Sequence, residues 1–394
     1  REAQRLLDDA RRTQNSSVFN RMYTEATEGM LDIERGRVRQ ATARLRIAVD
    51  ATTREGDYSH SSGNAWAGVM YATVMYEANE LDIVERLLHV YLPLARDVGL
   101  PDHMISSYTM RSRLDFLRGD VDGASRALTE LETLGHLRKL PRVVATAKLE
   151  RARMLLMQGN AHGAREELDR ADDPAVWQRL ARQRLPAHEL LDMTVSRLRW
   201  EVHFGDAAGA VRRIEQELPV LAAESRIRRS RKLRVLQGLA LWRLQETSTS
   251  ISLFRELLAE GSRENFIRLV LDEGPLVAGP IHAVQQQLTS SGTDPILLEY
   301  VQRMMAALGP HARAAADAAA PAQADVPWQV EPLTQKEMQV LKLLAEGYSN
   351  SAMSEKLFVS DSTVRTHLRN INMKLGAQNR TQAVSLARRY GLLR

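Results

Sequence analysis

Six times between residues 36 and 254 the chain repeats one short pattern. Gly36, Asn79, Gly119, Gly159, Gly205 and Gln245 each stand five residues before a compact side chain (Ala41, Val84, Ala124, Ala164, Ala210, Ser250). Four residues further on comes a large apolar one (Leu45, Leu88, Leu128, Leu168, Ile214, Phe254), and successive copies are 43, 40, 40, 46 and 40 residues apart. A small residue followed four later by a large one is helical spacing, and the Gly-Asp or Gly-Asn that precedes it in three copies makes a tight turn. Each unit therefore reads as a hairpin of two helices. One hairpin cannot bury its apolar face alone, so six in succession must stack.

The stacked hairpins predict a superhelical solenoid of the tetratricopeptide kind, with a period longer than the usual one of about 34 residues. The fold class is thus all-α, with repeats over 1–260, terminal helices that close them over 261–308, and a linker over 309–332. That linker holds nine alanines and four prolines with almost no large aliphatics, too little apolar surface to order itself. Residues 333–394 form a separate small domain.

Charge sets that last domain apart. It carries ten Lys and Arg against four acids, a net of +6, while the whole chain of 394 residues is +5, so everything before it sums to about −1. A basic footprint confined to one small domain points to a polyanion. Its residues say which. Thr334-Gln335-Lys336-Glu337 has the order of a capping box, Val340, Leu341, Leu343 and Leu344 fill one helical face, Gly347 ends the helix, and Ser349 or Asn350 caps a second helix through Leu357. After the short turn at Val359-Ser360, Ser360 caps a third helix whose Val364, Leu368, Ile371 and Leu375 make one buried stripe. Arg365, Thr366, Arg369 and Asn370 project from the other face, which is what major-groove reading requires: fork-shaped donors on a helix narrow enough to enter. Lys374 and Arg380 are placed to hold phosphates.

The segments Leu333-Thr334, Val340-Leu341, Gly347-Tyr348-Ser349-Asn350, Leu357-Phe358-Val359-Ser360, Thr363-Val364, His367-Leu368, Asn370-Ile371, Lys374-Leu375-Gly376 and Asn379-Arg380-Thr381-Gln382-Ala383-Val384 resemble the C-terminal helix-turn-helix of the LuxR family of bacterial transcription regulators. The resemblance covers about 60 residues and departs from the family at Ala352 and Ser354. It implies four helices, with Arg365, Thr366 and Arg369 at base-facing positions and Ser349, Asn350, Ser362, Thr363, Asn370, Lys374 and Arg380 toward the phosphates of double-stranded promoter DNA. For Thr363 a bond within its own helical turn is an equal reading. His367, near the apolar stripe, is expected to pack or hydrogen-bond inside the domain.

Residues 265–274, Asn-Phe-Ile-Arg-Leu-Val-Leu-Asp-Glu-Gly, resemble the segment that closes the helical repeats in the large ATP-binding subgroup of that family, the group of the maltose-regulon activator. In that subgroup a nucleotide-binding module precedes the repeats, an inducer binds, and self-association presents the readers to promoters and RNA polymerase. No G-x-x-x-x-G-K-[ST] occurs here, so no cofactor is expected in this chain, and ATP would belong to a module ahead of it. Arg1 opens inside what reads as a helix, without an initiator Met, which suggests part of a longer protein. Asp272, Glu273 and Gly274 read as a helix end and turn.

On the repeats, Arg226, Arg228, Arg229 and Arg231 crowd a basic stretch that reads either as a salt-bridged face or as an anion-binding wall for a small-molecule inducer. A regulatory protein bound to the repeats, with DNA binding as output only, is the alternative. Trp66, Trp177, Trp200 and Trp242 are expected in the core, with a groove lining as the other reading for one or two of them. The chain has no cysteine, which excludes disulfides, thiolate metal sites and cysteine nucleophiles. It shows no membrane-length apolar run and no signal peptide, so a cytoplasmic location away from membranes is expected. It also lacks G-x-S-x-G, H-E-x-x-H and a phosphate loop, which argues against an enzyme and against a metal site.

Overall fold

The computed structural model describes residues 18–53, 62–181, 185–308, 333–375, 377, 379–389 and 392–393; the linker over 309–332 lies outside them. Among the described residues the structure is helical, with no strand. By contact the chain divides into two compact units, one of residues 1–111 and 175–320 and the other of 112–174 and 321–394.

In the first unit, α1 (Val18–Glu34) pairs with α2 (Val38–Thr53), and α3 (Ser62–Glu77) with α4 (Leu81–Val98). After α5 (Pro101–Leu117), which runs into the second unit, the first unit resumes at α9 (Pro174–Ala181). It continues with the hairpins α10–α11 (Met193–His203, Ala207–Ala223) and α12–α13 (Ile227–Arg243, Thr247–Glu264). The short α14 (Arg268–Leu271) and then α15 (Ala278–Ser291) and α16 (Pro295–Leu308) close it. The second unit holds α6 (Val121–Leu137), the hairpin α7–α8 (Pro141–Met157, Ala161–Ala171), and four helices near the C-terminus, α17 (Gln335–Ala345), α18 (Asn350–Leu357), α19 (Asp361–Leu375) and α20 (Arg380–Arg389).

The repeat pattern accounts for this packing residue by residue. Its small and large positions, from Ala41 and Leu45 to Ser250 and Phe254, are all between 0% and 3% exposed. The buried Ser250 hydroxyl donates to the Gly238 carbonyl at 2.7 Å, so it leaves no orphan donor. The turn residues Gly36, Asn79, Gly119, Gly159 and Gln245 all have positive φ, from 65° to 82°. At Asn79 and Gln245 that conformation is carried by a side-chain residue at some cost. Gly205 departs from the expectation: it is outside the positive-φ set, and its turn is held by the Glu201 carboxylate, which accepts from the Asp206 N–H at 2.8 Å.

Helix α7 is buried on most sides, so its charged residues must pair. On α7, Glu150 is fully buried and accepts from Arg113 at 2.7 and 2.9 Å and from Arg153 at 2.6 Å. Burial alone would raise its pKa; the two guanidiniums outweigh that and hold it at about 2. The four tryptophans expected in the core, Trp66, Trp177, Trp200 and Trp242, are only partly buried, at its edge.

Candidate nucleic-acid interface

Helices α17 to α20 enclose their own small core of Val340, Leu341, Leu344, Met353, Val364, Ile371, Leu375, Ala383, Val384 and Ala387. Local chemistry starts each helix. Thr334 Oγ1 accepts from the Glu337 N–H at 3.2 Å while the Glu337 carboxylate accepts from the Thr334 N–H at 2.8 Å, the reciprocal capping box. Ser349 caps α18 by accepting from Ala352 N–H at 3.2 Å, and Ser360 caps α19 by accepting from Thr363 N–H at the same distance. Between α17 and α18, Gly347 takes φ +85°. Phe358, with φ +52°, makes the turn into α19 and is almost fully exposed.

The two faces of α19 differ as the stripe requires. Val364, Ile371 and Leu375 are buried and Leu368 is partly so, whereas Arg365, Thr366 and Arg369 are exposed together, with Asn370 half-buried beside them. The Thr366 hydroxyl donates to the Ser362 carbonyl at 3.0 Å, which orients it along the helix. Ser362 and Thr363 lie within hydroxyl-bonding distance of Ser360, at 2.7 and 2.8 Å. Two guanidiniums one helical turn apart on an exposed face can each make a bidentate pair with guanine O6 and N7.

Of the remaining phosphate candidates, Lys374 and Arg380 have internal partners. Lys374 Nζ stands 3.0 Å from Glu337 Oε2, tying α19 to the capping box of α17. Burial acts to raise the Glu337 pKa, but the bonds from Thr334 and Lys374 outweigh it and hold the carboxyl below its usual range. Arg380 donates to the Tyr348 carbonyl at 2.7 Å, next to the half-buried Ser349 and Asn350, and Lys356 stacks over the Tyr348 ring at 4.4 Å from its centroid. Neither Glu337 as an anchor for Lys374 nor Lys356 on Tyr348 stands out in the sequence, since each is an ordinary solvated residue type. The half-buried His367 lies beside the stripe.

In the first unit the arginine cluster is placed among carboxylates. Arg226 meets Glu189 at 2.7 Å, Arg228 meets Glu77 at 2.8 Å, Arg231 meets Glu260 at 2.8 Å and donates to the Gly36 carbonyl at 2.7 Å, and Arg229 is paired with Asp192. Glu273, read from the sequence as part of a helix end and turn, does stand in the turn that follows α14, and it is fully buried there. It accepts from Arg199 at 2.8 and 3.0 Å and from Lys232 at 2.5 Å. No group of three or more His, Asp or Glu among the described residues could hold a metal ion, and no described helix is long and apolar enough to cross a membrane.

Residues 331–387 match the family described as bacterial regulatory proteins, luxR family, and residues 1–287 match the MalT-like TPR region. Over 307 residues, 73% of the chain, it is 25% identical to the HTH-type transcriptional regulator MalT of Serratia proteamaculans, and it matches that of Yersinia enterocolitica equally over 309 residues. Over 63 residues, 16% of the chain, it is 51% identical to the uncharacterized transcriptional regulatory protein YxjL of Bacillus subtilis, covering 29% of that protein. The aligned part spans about a third of those MalT proteins, 32% of each. The chain belongs to the MalT-like family, a helical-repeat region joined to a LuxR-family helix-turn-helix.

Proposed function

We propose that this chain is the signal-receiving and DNA-reading part of a bacterial transcription activator. The observation that carries the reading is the α19 surface: Arg365, Thr366 and Arg369 exposed together on a helix whose opposite face is locked into a core. Arg365 and Arg369 read base edges in the major groove, and Thr366 contacts a base beside them. The α18 N-terminus, with Ser349 and Asn350, holds the phosphate backbone. The repeats receive the signal, a small-molecule inducer, and self-association then raises the local concentration of readers at the promoter, where they recruit RNA polymerase.

The test uses the full chain on a selected promoter duplex and on random DNA. Arg365→Ala or Arg369→Ala is expected to cost about 1–3 kcal/mol on the promoter and little on random sequence. Equal losses on both would reduce the arginines to phosphate contacts. For the signal, candidate metabolites are added to the purified chain and its melting temperature followed, because a ligand selective for the folded state must raise it. A shift produced only by a partner protein would favour the repeats as a protein-controlled scaffold.

A further inference from the structure

Three hairpin turns share one cap and differ in a single group. Asp120, Asn160 and Asp206 each accept, through Oδ1, the N–H of the glycine three residues on, at 2.8, 2.8 and 2.9 Å. A carboxylate used this way has only acceptors left, whereas the Asn160 amide keeps an NH2 group. Within the second unit that group is used: Asn160 Nδ2 donates to the Glu346 carbonyl, at the end of α17, at 2.6 Å. The surfaces around this bond fit closely. A Cβ at Gly347 would stand 2.7 Å from Asn160 Nδ2 and 3.2 Å from Leu155 Cδ2, and one at Gly159 would stand 2.6 Å from Arg388 Nη1. Burial lowers the Arg380 pKa, and the negative charge of Asp122, which favours the guanidinium, acts against that lowering.

We propose that the Gly159–Asn160 turn, with Leu155 and Asp122, is a docking surface for the chain's own helix-turn-helix, and that docking and DNA binding exclude one another. The second clause rests on the DNA-reading function proposed above. The seated side of the reader is the Glu346–Tyr348 turn, which leads directly into Ser349 and Asn350, together with Arg380, which bonds the Tyr348 carbonyl. Two of the phosphate-facing candidates, Ser349 and Asn350, follow the seated turn directly and a third, Arg380, bonds it, while Arg365, Thr366 and Arg369 stay exposed. A DNA backbone cannot occupy a side already filled by a protein turn. The contact is small, so it reverses readily and biases DNA affinity without abolishing it.

Asn160→Asp separates docking from folding, because it retains the cap oxygen, as Asp120 and Asp206 show, but sets an acceptor against the Glu346 carbonyl. In the full chain this variant is expected to melt like the wild type and to bind duplex DNA about three- to tenfold tighter, the effect of one net hydrogen bond. A second measurement needs no DNA. The chain has no cysteine, so Asn160→Cys with Glu346→Cys places the only two thiols at the contact. A short bismaleimide is expected to join them within one chain and to lower DNA affinity at least tenfold. Wild-type affinity in Asn160→Asp overturns the proposal, and so does a thiol pair that stays unlinked or links two chains. If no variant binds DNA while the intrachain link forms, the DNA reading fails and the docking surface stands.

Discussion

Lys232 and Glu273, 41 residues apart, meet at 2.5 Å where the first is 2% and the second 0% exposed. Lys232 Nζ also donates to the Leu269 carbonyl at 2.6 Å, and Arg199 occupies both carboxylate oxygens from the other side. Glu273 therefore compensates two buried cations at once. Burial alone would raise its pKa, but Arg199 and Lys232 outweigh that and hold it well below the usual carboxylate range. Removing the carboxylate strands both cations, so Glu273→Ala should cost about 3–5 kcal/mol in urea unfolding. A cost below about 1 kcal/mol would mean that water already reaches the site.

His203 lies beside this cluster, its Nε2 4.0 Å from Glu273 Oε2. Burial first, and then the charges of Arg199 and Arg243, lower its pKa to about 4, against the opposing pull of Glu273. The folded chain thus binds fewer protons than the unfolded one between roughly pH 6.5 and 4, and its stability must fall as pH falls through that window. The full loss is roughly 3 kcal/mol, reached at about pH 4. Chemical denaturation at a series of pH values should show this slope, and His203→Asn should flatten it. A slope unchanged by that substitution would assign the proton uptake to another group.

In the reader, Glu337 serves two partners, the Thr334 N–H and the Lys374 ammonium. Glu337→Ala should lower reader stability by about 1–2 kcal/mol through the lost cap and the freed lysine. Because the Glu337 pKa is depressed, this contribution is present above the unfolded carboxylate range and is lost as pH falls through the folded value. Amide exchange in the first turn of α17 reads it directly, and protection unchanged at pH 7 would count against the box.

Salt dependence separates the cations. Log affinity for duplex DNA should fall linearly with log salt, by about 0.9 per phosphate neutralised. Lys374 is engaged by Glu337 and 15% exposed, so Lys374→Ala should change the slope by much less than one phosphate. A drop of a full unit would show that the ammonium leaves Glu337 for the backbone on binding.

What was legible in the sequence is what repeats or caps locally. The small and large positions of the hairpins, the Thr334–Glu337 box and the α19 stripe all follow from spacings of three to nine residues. What was not legible joins residues far apart. Glu273 is the turn residue that its sequence suggests, but its buried charge pairing was hidden because its partners Arg199 and Lys232 lie 74 and 41 positions away, and the partner of Arg228 is 151 away. A basic run in a sequence carries no sign of which carboxylates will face it. Trp66, Trp177, Trp200 and Trp242 looked like core by size alone, yet a large ring also fits at an edge.

The first unit is closed on itself by a mostly polar seam between its second hairpin and the segment after its last hairpin. Ile267 N–H donates to the Glu77 carbonyl at 2.6 Å, the Tyr76 hydroxyl to Asp272 at 2.9 Å, and Arg268 Nε to Asn79 Oδ1 at 2.7 Å, while the Glu77 carboxylate accepts from Arg228 at 2.8 Å. Glu77 contributes both its backbone and its side chain to this seam. Glu77→Gln removes the charge and keeps the shape, leaving the Arg228 guanidinium in a buried place with a weaker acceptor. It should therefore loosen residues 267–271 before the unit unfolds as a whole, with a cost of about 1–3 kcal/mol. Hydrogen exchange of the α14 amides is the measurement: protection there should fall about tenfold or more, while protection in α7 stays at the wild-type level. Equal loss in both helices would mean that the seam is part of the global core and does not open by itself.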